Sequence, residues 1–95
     1  MATTVLLRCR VADYDAWRPQ YDHSVERITE IRPSQVWRGQ DDPNLVVVAE
    51  TFDSREVAEA AFSNPVVQEE MPKHGVDMST VQIDYLDEVT SGRTR

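Results

Sequence analysis

The chain has 95 residues, a formal net charge of −7 and an isoelectric point near 4.6. That balance disfavours a nucleic-acid partner, because no basic stripe is present to displace phosphate counterions, and it disfavours anionic membrane surfaces equally. No apolar run approaches the length of a membrane span. Met1-Ala2-Thr3-Thr4 has neither the basic start nor the apolar core of a signal peptide, and a lone cysteine, Cys9, fits a reducing cytoplasm.

In chain order, Thr4–Val11 alternates as a strand, with Val5, Leu7, Cys9 and Val11 on one face and Leu6, Arg8 and Arg10 on the other. Asp13 is placed to cap a following helix. On that helix Tyr14, Trp17, Tyr21, Val25 and Ile28 recur at helical spacing. Pro19 predicts either a short 3₁₀ turn before it or a kink, and Pro33 stops the helix or begins the next strand. A second strand covers Ser34–Gly39, and Asp41-Asp42-Pro43-Asn44 supplies a turn. The third strand, Leu45–Phe52, is almost continuously apolar, as expected of a strand covered on both faces.

Ser54 or Asp53 caps the next helix, with Val57, Ala58, Ala61 and Phe62 at the 3.6 period. Asn64-Pro65 interrupts it, and Val66–Lys73 continues as a second piece carrying Val67 and Met71. Gly75 ends that piece in a left-handed conformation. The last strand, about Thr80–Val89, turns Val81, Ile83 and Tyr85 to one face and Asp84 and Leu86 to the other.

The order strand, helix, hairpin, helix, strand, with right-handed crossovers, predicts a four-stranded antiparallel sheet of order 4-1-3-2 with both helices on one face: an α+β, βαββαβ domain read as residues 1–95, its polar tail starting near 90. The expected helix-side face carries Val5, Leu7, Cys9, Leu45, Val47, Ala49, Val81, Ile83 and Tyr85. The expected far face carries Leu6, Arg8, Arg10, Val46, Val48, Glu50, Phe52, Asp84 and Leu86. That face is apolar enough to suggest a homodimer interface, with Arg8 and Arg10 paired to Glu50 and Asp84.

Three segments carry a family resemblance: Val11-Ala12-Asp13-Tyr14-Asp15-Ala16-Trp17, the Asp41–Asn44 hairpin, and Asn64-Pro65 with Met71-Pro72-Lys73-His74-Gly75-Val76. Together they resemble the antibiotic-biosynthesis-monooxygenase-like branch of the dimeric α/β-barrel proteins, over about Val5–Val89. The resemblance implies a ferredoxin-like protomer, sheets facing each other in a homodimer, and a ligand cavity between sheet and helices. It implies a range of activities: cofactor-free monooxygenases on aromatic polyketides, cyclases, isomerases and haem-degrading enzymes. This chain departs from the branch at two places. Cys9 stands on the first strand, and Ser24 after His23 on the first helix, where members often carry histidines.

The aromatic set Tyr14, Trp17, Tyr21, Trp37, Phe62 and Tyr85, with Cys9 and Arg38, is the expected lining of a ligand cavity. Two indoles and several phenols need partners for their polar tips when buried. The same aromatic stripe would serve as ordinary core if no cavity were present. His23 and His74 are the candidate proton acceptors. His23 points away from the aromatic stripe, however, and His74 is equally explained by the helix dipole. Cys9 would need a neighbouring base to act as a thiolate, and none is close in sequence. No spacing of histidine, cysteine and carboxylate matches a metal site, and no glycine-rich loop offers a nucleotide-phosphate cradle.

The leading reading is thus a cofactor-independent monooxygenase or cyclase/isomerase acting on an aromatic or polyketide-like substrate. Its rivals are a non-catalytic dimeric binding or accessory protein, and a haem-degrading enzyme with His74 as axial ligand.

Overall fold

The computed structural model describes residues 2–27 and 34–89. Ile28, Pro33 and the tail Thr90–Arg95 lie outside the described residues. The elements are β1 (Thr3–Val11), α1 (Tyr14–Arg27), β2 (Ser34–Arg38), β3 (Leu45–Phe52), α2 (Arg55–Ser63), α3 (Pro65–Lys73) and β4 (Val76–Leu86). The strands form one antiparallel sheet of order β2-β3-β1-β4, the expected 4-1-3-2 arrangement read from the other edge. The fold is α+β and ferredoxin-like.

Local chemistry places each helix. Asp13 caps α1, its Oδ1 accepting from Asp15 N at 3.2 Å, and the first helical bond runs from Trp17 N to Asp13 O. The hairpin adds a second cap: Asn44 accepts from Tyr14 N through Oδ1 at 3.1 Å and from Val11 N through its carbonyl at 2.8 Å. Pro19 lies inside one continuous α1, so the helix begins at Tyr14 without the 3₁₀ turn that was one of the two expectations. It deletes a single i→i−4 bond on an exposed side, while capping at the start and packing of Trp17 and Tyr21 hold the helix.

Further along the chain, Ser54 caps α2 by accepting from Val57 N. Asn64 breaks the helix at ψ 124°, the extended geometry favoured before proline, and Pro65 opens α3 where its missing N–H is no loss. Gly75 takes φ +91°, and its carbonyl accepts from Ala12 N at 2.9 Å, tying the α3–β4 turn to the end of β1.

The β1–β3 ladder corrects the expected phase of β3. Glu50, Val48 and Val46 stand opposite Val5, Leu7 and Cys9, and Phe52 stands opposite Thr3. Opposed residues share a face, so Val46, Val48, Glu50 and Phe52 lie under the helices, where all four are buried. Leu45, Val47 and Ala49 take the outer face instead. A run of five apolar residues has no alternation to reveal its phase, and only its register with β1 fixes it.

The inner side holds two adjoining clusters. Trp17 packs with Leu7, Cys9, Val11, Val46, Val48 and Val76, and α2 covers Val5 and Phe52 through Ala58. The outer face carries half-buried Leu6, Leu45, Val47 and Ala49, with Trp37 50% and Leu86 43% exposed. Arg10 pairs with Asp42 of the hairpin at 2.8 Å rather than with Glu50, which is on the opposite face. No helix among the described residues is long and apolar enough to cross a membrane.

Candidate functional site

Between the sheet and the three helices lies a cavity of about 520 Å³. Its floor is Leu7, Cys9, Val48, Glu50 and Phe52. One wall is Trp17, Tyr21 and Ser24 of α1, and the other is Val57, Ala61 and Phe62 of α2 with Val67, Glu70 and Met71 of α3 and His74, its C-cap. The volume is within the range of small-molecule sites, and the lining has the usual composition of mostly apolar surface with a few polar groups. The Asn64-Pro65 break turns α3 so that its inner residues face the same space as those of α2.

The walls are ordered by ring contacts. Trp17 and Tyr21 stack with centroids 4.9 Å apart and planes at 22°, and Phe52 meets Phe62 edge-on at 5.9 Å. The Tyr21 hydroxyl donates to Glu50 Oε2 at 2.6 Å, a short, charge-assisted bond when the carboxyl is ionised. Glu50 is only 4% exposed. Its burial raises the carboxyl pKa above the ordinary carboxylate range, and the Tyr21 bond partly opposes that rise. It is therefore a group tuned to hold or release a proton nearer neutrality than a surface glutamate. Cys9 differs in character: burial pushes its thiol up to about 11, so the floor presents a neutral S–H rather than a nucleophilic thiolate.

Of the residues expected to line a cavity, Cys9, Trp17, Tyr21 and Phe62 surround this one. The other four lie elsewhere. Trp37 is opposite Val47 on the outer face. Arg38 lies over the Tyr14 ring at 4.2 Å, with its Nε donating to the Pro43 carbonyl. The Tyr14 hydroxyl accepts from Arg18 Nη1 at 2.8 Å. Tyr85 packs at the α2 end of the sheet beneath the Arg55 guanidinium.

The two histidines meet at a smaller depression of about 260 Å³ that also includes Pro19, Gln20, Ser24 and Glu70. His74, Ser24 and Glu70 line both spaces, whereas exposed His23 lines only the smaller. Cys9 and Ser24, the positions where the resembling branch often has histidines, both line the main cavity.

Sequence reading assigned Glu50 to the outer face and so missed it as a site residue. One signal was available: a single carboxylate inside a central apolar strand is expensive unless paired, and such residues concentrate at functional sites. Among the described residues, no group of three or more potential ligands could hold a metal ion.

No protein-family model and no curated protein matches the chain. Solved structures do. SnoaB from Streptomyces nogalater, a cofactor-independent oxygenase, aligns with a TM-score of 0.70 at 13% identity over 98% of this chain and 95% of that one. A candidate antibiotic biosynthesis monooxygenase from Chloroflexus aurantiacus J-10-fl gives 0.72 at 16% identity over 98% of both chains. Rv0793 from Mycobacterium tuberculosis gives 0.68 at 15% identity over 98% of this chain and all of that one. At such identities the likeness speaks for the fold: over nearly its whole length, the chain has the ferredoxin-like fold of the antibiotic-biosynthesis-monooxygenase-like proteins.

Proposed function

We propose that this protein is a small-molecule enzyme of cofactor-independent type, a monooxygenase or cyclase/isomerase acting on an aromatic or polyketide-like substrate held between sheet and helices. The observation that carries the reading is the aromatic-walled cavity with one buried carboxyl, Glu50, in its floor. Stacked Trp17 and Tyr21 offer a flat surface to a planar ring, and Glu50 offers a proton acceptor beside it.

Proton transfer from a phenolic substrate to Glu50 conserves the charge of the cavity. The O–H bond of the substrate breaks, one forms on the carboxylate, and the negative charge passes to the substrate oxygen. No second buried charge is created. In a monooxygenase reaction the electron-rich anion then supplies all four electrons to dioxygen: a ring C–H bond breaks, one oxygen atom enters there as a quinone carbonyl, and the other leaves as water with the ring and phenolic hydrogens. A cyclase or isomerase needs only the proton transfer. His74, which touches both spaces, and His23 beside it are the groups to pass that proton to solvent.

The reading includes a homodimer through the outer sheet face, because Leu6, Val47, Ala49, Trp37 and Leu86 form an apolar area there with Arg8 and Asp84 among them. Scattering mass after size exclusion tests it: twice 10.9 kDa is expected, and Val47→Asp dissociates the pair. A wild-type monomer at micromolar concentration removes the dimer from the reading.

Binding and turnover are tested with a panel of phenolic polycyclic aromatics, following tryptophan fluorescence and oxygen uptake in parallel. Saturable quenching with oxygen uptake or a rearranged product supports the enzyme. Saturable quenching without turnover of any kind favours a binding or accessory protein, and no quenching returns the aromatic set to ordinary core.

A further inference from the structure

Glu50 has acceptor capacity to spare. An ionised carboxylate offers about four lone-pair sites; Tyr21 donates to Oε2, and among the described residues no donor is bonded to Oε1. The side chain is nonetheless almost wholly buried and lines the cavity. Among the described residues, the titratable groups sharing that lining are Cys9 from β1, Tyr21 from α1, Glu70 from α3 and His74, the α3 C-cap. α2 and β4 contribute apolar side chains only, and no lysine or arginine lines the cavity among the described residues. Among the described residues the cavity thus has a buried acceptor, a second carboxylate at its rim and no fixed cation.

We propose that Glu50 sets the head-group chemistry of the site: the cavity takes an aromatic ligand bearing a cationic N–H or neutral O–H donor that seats on Oε1, and turns away ligands bearing a carboxylate. This rests on the reading of the cavity as an aromatic-ligand site. A protonated amine neutralises the buried carboxylate and lies against the ring faces of Trp17 and Tyr21. A hydroxyl supplies the missing donor without charge. A carboxylate ligand brings a second negative charge into a low-dielectric space that already holds one. The overall charge of −7 favours approach of cations in the same sense.

The test uses three probes with one ring system, 2-naphthylmethylamine, 2-naphthol and 2-naphthoate, titrated calorimetrically into the wild-type protein at pH 8. The amine and the naphthol bind at least about tenfold more tightly than the naphthoate, a difference of about 1.4 kcal/mol. Glu50→Gln keeps the shape and removes the charge, so the amine weakens, the naphthoate strengthens and the ratio collapses. On acidification of the wild type, amine affinity falls as Glu50 takes up its proton. His74 also lines the cavity, so the profile is repeated with His74→Gln, which retains the fall. This arm stands even if Glu50→Gln does not fold.

Equal binding of all three probes, an unchanged ratio in Glu50→Gln, or a flat amine profile overturns the proposal and leaves the aromatic cavity standing. Failure of every probe to bind overturns both.

Discussion

Replacing Glu50 by glutamine should stabilise the protein at pH 8 and lose that advantage near pH 4. The sign follows from burial. In the folded state the Glu50 carboxyl is raised above its ordinary value, so the fold binds that proton more tightly than the unfolded chain does. Its contribution to stability is fully present below the unfolded value, about 4.3, and is lost as pH rises through the raised folded value. Above that point the fold holds an ion in an apolar space.

A sealed ion suffers a penalty of several kcal/mol, but Tyr21 returns a charge-assisted bond worth about 1.5–3 kcal/mol. Glutamine keeps a carbonyl oxygen for the same hydroxyl. The net gain is therefore about 1–2 kcal/mol at pH 8, equivalent to a midpoint rise of about 5–10 °C for a domain of this size. Thermal and urea melts of both proteins from pH 4 to 8 measure it. Other carboxylates titrate in both proteins, so the difference curve isolates Glu50. A variant less stable at pH 8, or a difference that does not change with pH, refutes the account of Glu50 as a desolvated group.

The remaining predictions concern the wall, the floor and the turn that closes the site. Trp17→Ala removes a buried indole from both core and cavity and should cost about 3–5 kcal/mol, whereas Trp17→Phe keeps a ring against Tyr21 and retains the fold with weakened aromatic binding; melts and titration together separate the two effects. Gly75→Ala should cost about 1–2 kcal/mol by forcing a side chain to φ +91°, since the new Cβ meets Ala12 Cβ at an ordinary 3.4 Å. A variant as stable as wild type would contradict that conformation. Cys9 should react only slowly with an aromatic disulfide reagent at pH 8 although it lines the cavity, and faster as pH rises, because its thiol is pushed up to about 11 and little thiolate forms; stability held by the neutral thiol is lost as pH rises from the unfolded thiol value through the folded one.

Much of this fold was legible where the chain punctuates itself. Asp13, Ser54, Asn64-Pro65 and Gly75 act as cap, cap, break and left-handed stop, each through short-range chemistry that its residue type dictates. β1 alternates strictly, so its two faces could be read directly. The last strand began earlier than expected, at Val76 rather than near Thr80, because the ladder with β1 shifts register between Arg8 and Arg10. Thr80 Oγ1 accepts from Arg10 N across that irregularity, a contact between residues seventy apart that local pattern does not encode.

The site was half legible for a related reason. Trp17 and Tyr21 share a helix face by simple spacing, and Cys9 follows from the alternation of β1; these converge on the cavity. Trp37 and Glu50 depended on the phases of β2 and β3, which a short edge strand and a nearly unbroken apolar run do not announce. Once Cys9 is fixed inside, the ladder carries the answer across the sheet: Val46 opposes Cys9, Val48 opposes Leu7, Glu50 opposes Val5, and Val36 opposes Val48. Trp37, one residue on from Val36, must then face outward, and Glu50 must face the helices. A shift of one residue in β3 would return Glu50 to the outer face and place Ala49 beneath Tyr21, leaving the Tyr21 hydroxyl without the carboxylate it now meets at 2.6 Å. The chemistry of the cavity and the register of the central strands are thus one constraint, and the titration of Glu50 reports on both.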